Sequence, residues 1–84
     1  MDTWIDELAA ALALEPLSHE EADQLLRLAR DVAHRVERKG APLASFLLGM
    51  QVARRTADGS ARAPALDEAI ASAETLLPPA PEGP

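Results

Sequence analysis

The stretch from Leu25 to Gly49, LLRLARDVAHRVERKGAPLASFLLG, constrains this chain more than any other, because it joins two helical patterns through a corner of only a few residues. At about 100° per residue, Ala22, Leu25, Leu26, Leu28, Ala29, Val32, Ala33 and Val36 share one broad face. Asp23, Arg27, Arg30, His34 and Arg38 lie opposite, with Asp31 and Arg35 toward one flank. Arg38 and Lys39 suit the last turn of this helix, Gly40 suits the left-handed residue beyond it, and Pro42 suits the first position of the next helix. So short a corner predicts a tight hairpin or an angled corner, with Val32, Ala33 and Val36 near Leu43, Phe46 and Leu47.

The helix after the corner, Pro42 to about Arg55, is apolar nearly all round. Leu43, Phe46, Leu47, Met50 and Ala53 form the expected core face, while Ala44, Leu48 and Val52 form a second one. An all-round apolar helix should be buried all round. A chain of 84 residues then needs three neighbours for it, or the second face meets another chain or domain. Ala44, Leu48 and Val52 are therefore candidate partner-binding residues. Gly49, which costs ~1 kcal/mol relative to Ala inside a helix, is expected to mark a close helix crossing.

The flanking segments also read as helices. Trp4, Ile5, Leu8, Ala11 and Leu12 share a face of a first helix running from Asp2 or Thr3 to about Leu14, and Pro16 ends it. Ser18 and Glu21 have the spacing of a capping box for the second helix, with Leu17 and Ala22 placed as a staple. Thr56 to Ala63 reads as a loop around an Asp58-Gly59 turn, and Leu66, Ala69, Ile70, Ala73, Leu76 and Leu77 give a regular face to a helix from Pro64 to Leu77. Residues 78–84 are a proline-rich tail expected to be disordered. Aromatics make up 2% of the chain, no segment alternates with period two, and Ala and Leu dominate. The prediction is an all-α fold, one compact bundle of four helices with short loops over residues 1–77.

Charge is unevenly spread. Residues 1–26 hold seven acids and no base, residues 27–62 hold all eight bases against three acids, and residues 63–84 hold four acids and no base. The basic centre is expected to pair with its acidic neighbours in the fold, or else to present a patch to an anionic partner. There is no cysteine, the N-terminus is acidic where a targeting peptide is basic, and no apolar run approaches the ~20 residues of a membrane span. The expectation is a cytoplasmic protein with no membrane role. Overall acidity and an apolar second helix at the corner argue against nucleic acid.

No site chemistry is spelled out. His19, Glu20, Glu21 and Asp23 lack the second histidine and third ligand of a zinc-protease pattern, so no metal is expected. Asp31 is spaced to orient His34, but no nucleophile motif or phosphate loop accompanies them; no catalytic residue and no cofactor are predicted. Arg30, Asp31 and His34 read instead as a candidate contact with a partner. Asp58-Gly59-Ser60-Ala61 stands where an acyl carrier protein would need Asp-Ser-Leu, which removes that match.

The segment Leu28 to Gly49, with its Ala-Arg-Asp-Val-Ala-His helix, Ala-Pro-Leu corner and Phe-Leu-Leu-Gly helix, resembles the signature of a small actinobacterial domain family of uncharacterised function. The Trp4 to Leu8 start fits it too, and the resemblance covers roughly residues 2–76. It matches at Arg30, Asp31, His34, Ala41, Pro42, Leu43, Phe46 and Gly49. Members of that family stand alone or are fused behind the guanylyltransferase that attaches GMP to the molybdenum cofactor. The resemblance implies a noncatalytic accessory role beside maturation of that cofactor, with the guanylyltransferase as partner. The transferase reaction itself is not implied, because this chain has no glycine-rich nucleotide loop. The alternative expectation is a self-associating homodimer domain unrelated to the cofactor.

Overall fold

Ser18 begins its helix as the capping box predicts. Its hydroxyl accepts the Glu21 N–H at 3.1 Å, and Glu21 Oε1 accepts the Ser18 N–H at 2.9 Å. The structure, a computed structural model, describes residues 2–80, and they form α1 (Asp2–Ala11), α2 (His19–Arg35), α3 (Gly40–Ala57) and α4 (Arg62–Leu76). Links of seven, four and four residues join them. This is the expected all-α bundle; among the described residues there is no strand. Pro78 to Ala80 are non-helical, and residues 81–84 of the expected tail lie outside the described residues.

Two helix ends share one device. At α3 the turn forms around Gly59, at φ 102°, with the Gly59 N–H donating to Thr56 O and the Ser60 N–H to Arg55 O. This left-handed closure satisfies carbonyls that the helix leaves open, and glycine adopts it without strain. At α1 the same pair of bonds forms around Ala13, at φ 58°, with Ala13 N–H to Ala10 O and Leu14 N–H to Ala9 O. Here a Cβ opposes the conformation, which stops α1 short of the expected Leu14.

The corner differs from the expectation. Helix α2 ends at Arg35, where the Val36 and Glu37 N–H groups both donate to Val32 O, and Gly40 is the first residue of α3 with no left-handed role. What Gly40 supplies is room: a Cβ there would sit 3.0 Å from Val32 Cγ1. The close approach expected at Gly49 is thus found at Gly40, because a hydrogen side chain matters where α3 turns back against α2. A Cβ at Gly49 would meet nothing within 4 Å.

One cluster holds α2, α3 and α4 together. Leu28 and Val32 from α2, Leu48 and Val52 from α3, and Ala65, Leu66, Ala69 and Ile70 from α4 are buried in it, with Leu25, Ala44, Ala73 and Leu77 packed around them. Ala65 and Ala69 are among its most enclosed members, so α4 approaches its neighbours closely through small side chains. Leu26, Val36 and Leu76, expected on core faces, are exposed. Helix α1 lies outside this core, and the radius of gyration, 13.7 Å, exceeds the about 12 Å expected for a compact chain of this length.

Charge pairing ties the helices at one end. Arg62, the first residue of α4, donates to both carboxylate oxygens of Glu21, at 2.8 and 2.7 Å, and to the main-chain carbonyls of Glu15 and Pro16, at 2.9 and 2.7 Å. A single guanidinium thereby fixes the α1–α2 link and the start of α2 to α4. Arg55 pairs with Glu68 at 3.3 Å between α3 and α4, so basic residues of the centre do meet acidic neighbours. Asp23 and Arg27, like Asp31 and Arg35, stand four residues apart on α2 but form no ion pair among the described residues; Arg30 lies 4.0 Å from Asp31.

Glu21 is 5% exposed, and the hydrogen bond from Arg62 holds its carboxyl below the ordinary 4.5; burial opposes the shift, and bonds from Ser18 add to it. A lowered folded pKa stabilises the fold above the unfolded value and is lost as pH falls through the folded one. Arg62→Met should therefore cost about 1–3 kcal/mol at neutral pH, the partial exposure of Arg62 keeping it toward the lower end of a buried pair. Urea unfolding followed from pH 7 downward should show the gap to wild type closing once the pH drops below 4.5, the ordinary value for Glu21. An equal gap on both sides of that value would contradict this assignment.

Candidate functional site

Helix α3 carries its two apolar faces as predicted, but their roles are exchanged. Leu48 and Val52 are each 9% exposed in the core, and Ala44 packs against it. The three residues expected to meet a partner are therefore used inside the fold. The larger face, expected to be the core, is outside: Leu43, Phe46, Leu47 and Met50 are 56–69% exposed. The reason lies in α4. A neighbour that approaches through Ala65 and Ala69 accommodates the slimmer Ala44–Leu48–Val52 ridge and leaves no depth for Phe46 or Met50.

The four exposed residues follow i, i+3, i+4, i+7 spacing and form one continuous stripe. A contiguous apolar strip of this kind on a protein surface marks a place of contact. The same spacing puts Lys39 four residues before Leu43 and Arg54 four residues after Met50, so a base brackets each end. Both are exposed; Arg54 is steadied by a 2.8 Å bond from its guanidinium to Gln51 Oε1. This apolar stripe with basic ends is the candidate site. Sequence reading overlooked Lys39 and Arg54 as members of it, although their register with Leu43 and Met50 was visible once the outward face was known.

Helix α1 presents a second exposed apolar strip. Ile5 and Ala9 are half-buried, and Ile5 lines an open cleft of about 220 Å³ against Leu17, Ala22, Leu25 and Leu26. Trp4, Leu8 and Leu12 remain exposed. Every charged residue of α1 is acidic, and Glu7 flanks the Trp4–Leu8 side of the helix. A smaller polar cleft of about 210 Å³ lies between α2 and α4, where Gln24 Nε2 donates to Asp67 Oδ1 at 2.6 Å.

The polar candidates sit together on α2. Arg30 and His34 are exposed one turn apart, and Asp31 is half-buried beside Arg30. No hydrogen bond joins Asp31 to His34 among the described residues, and neither of the two clefts includes any of the three. They form an exposed group suited to surface contact. Among the described residues no helix is long and apolar enough to cross a membrane.

A family model described as a domain of unknown function, DUF6457, matches residues 1–83, and the chain belongs to that family. No curated protein and no solved structure matches it.

Adjacent leucines test the exchange of faces. Leu48→Ala should cost about 2–4 kcal/mol of unfolding free energy, whereas Leu47→Ala should cost less than about 1 kcal/mol. Urea titration of the two variants decides between the faces, and a larger loss for Leu47→Ala would restore the sequence-based one.

Proposed function

We propose that this member of the DUF6457 family is a noncatalytic helical interaction module acting beside molybdenum-cofactor biosynthesis, with the cofactor's guanylyltransferase as its partner. The observation that carries the interaction role is the α3 stripe: four large apolar side chains stand in solvent, although burying each fully would be worth about 1.5–3 kcal/mol. The partner's identity rests on the resemblance of Leu28 to Gly49 to a small actinobacterial family found alone or fused to that enzyme. The reading sets the chain in the cytoplasm with the enzyme, where the stripe supplies the apolar centre of the contact and Lys39 and Arg54 its charged rim. Arg30, Asp31 and His34 offer a separate polar contact on α2.

A second reading is favoured by a separate observation, the exposed Trp4 and Leu8 on α1. It makes the chain a structural domain that associates with itself and has no link to the cofactor.

Titration of the guanylyltransferase with the full chain, followed calorimetrically, tests the first reading. Binding is expected, and Phe46→Glu with Leu47→Glu should weaken it by more than about tenfold while leaving the fold intact. Absence of binding, together with unimpaired molybdenum enzymes when the protein is deleted, would overturn it.

A further inference from the structure

The two exposed apolar strips, one on α1 and one on α3, belong to a single chain but do not meet within it. Arg62 clamps the carbonyls of Glu15 and Pro16 at the end of the bundle where α2 and α4 begin and α3 ends. Helix α1 does not lie against α3, and Leu43, Phe46, Leu47 and Met50 stay exposed within the single chain.

The strips are nonetheless complementary in chemistry. The α1 strip carries Trp4 and Leu8 beside Glu7, on a helix whose only charges are negative. The α3 stripe carries Leu43, Phe46, Leu47 and Met50 between Lys39 and Arg54. Neither Glu7 nor Lys39 has an ion-pair partner among the described residues. Two like stripes face to face would instead bring Lys39 and Arg54 against their own copies, which repels.

We infer that two copies of this chain associate reciprocally, the Trp4–Leu8 strip of each α1 covering the Leu43–Met50 stripe of the other copy's α3. The exchange follows two-fold symmetry and forms the same acidic-on-basic contact twice. Each α1 keeps its place beside α2, with Ile5 toward the cleft, and projects its outer side to the second copy. The inference rests on reading the α3 stripe as a binding surface and names its occupant in the free protein; a partner protein that uses the stripe competes with self-association.

Charge exchange in the full chain tests it by sedimentation. One variant carries Lys39→Glu and Arg54→Glu, the other Glu7→Lys; all three positions are exposed. Wild type is expected to dimerise at micromolar concentrations, each variant alone to dimerise at least about tenfold more weakly, and the 1:1 mixture to form a heterodimer close to wild-type affinity. Recovery in the mixture also shows both variants folded. A wild type that stays monomeric into the millimolar range overturns the inference, even where it binds the guanylyltransferase and so upholds the reading of the stripe. Undiminished self-association of the Glu7→Lys variant overturns it as well, since stripe-on-stripe contact would leave that variant unaffected. A dimer that behaves as predicted but ignores the guanylyltransferase sustains the inference and removes only the cofactor link.

Discussion

The close approach of α4 through Ala65 and Ala69 is the constraint on which the rest of this structure depends. Small side chains let helix axes come near, and nearness decides which ridge of α3 turns inward. The slim ridge of Ala44, Leu48 and Val52 fits, and the bulky one of Leu43, Phe46, Leu47 and Met50 is left outside. Core packing thereby creates the surface feature. The fold leaves a large apolar face exposed because the smaller face packs better.

The Arg62 clamp turns this local choice into an arrangement in space. One guanidinium satisfies two main-chain carbonyls of the α1–α2 link and neutralises a carboxylate that also caps α2. Capping, burial of Glu21 and placement of the link are thus one network, in which loss of any member leaves the others under-satisfied. The clamp holds the link at one end of the bundle, and α1 faces α2 only across the open cleft at Ile5, with Trp4 and Leu8 exposed.

The parts of this structure that the sequence made legible are those set by neighbours a few residues apart. Ser18 and Glu21 announced the start of α2, Asp58 and Gly59 the turn before α4, and the apolar periodicity the helical class. What was not legible depended on long-range fit. A helix apolar nearly all round gives the wheel no preferred direction, so the face of α3 could be settled only by the width of its neighbour. Gly40 looked like a helix stop by its position after Lys39, yet its role is spacing against Val32. Arg62 gave no local signal at all, because its acceptors lie more than forty residues away in the chain. The candidate site suffered the same limit: its register was readable, but its outward orientation was not.

The central claim, that the exposed strips of α1 and α3 cover each other between chains, has a built-in reporter. Trp4 is the only tryptophan, and it is 60% exposed in the single chain. Its emission should move to shorter wavelength as wild-type protein is concentrated through the range in which it dimerises, because the indole passes from water into an apolar contact. An emission maximum that stays at the solvent-exposed position while the protein dimerises would contradict the account.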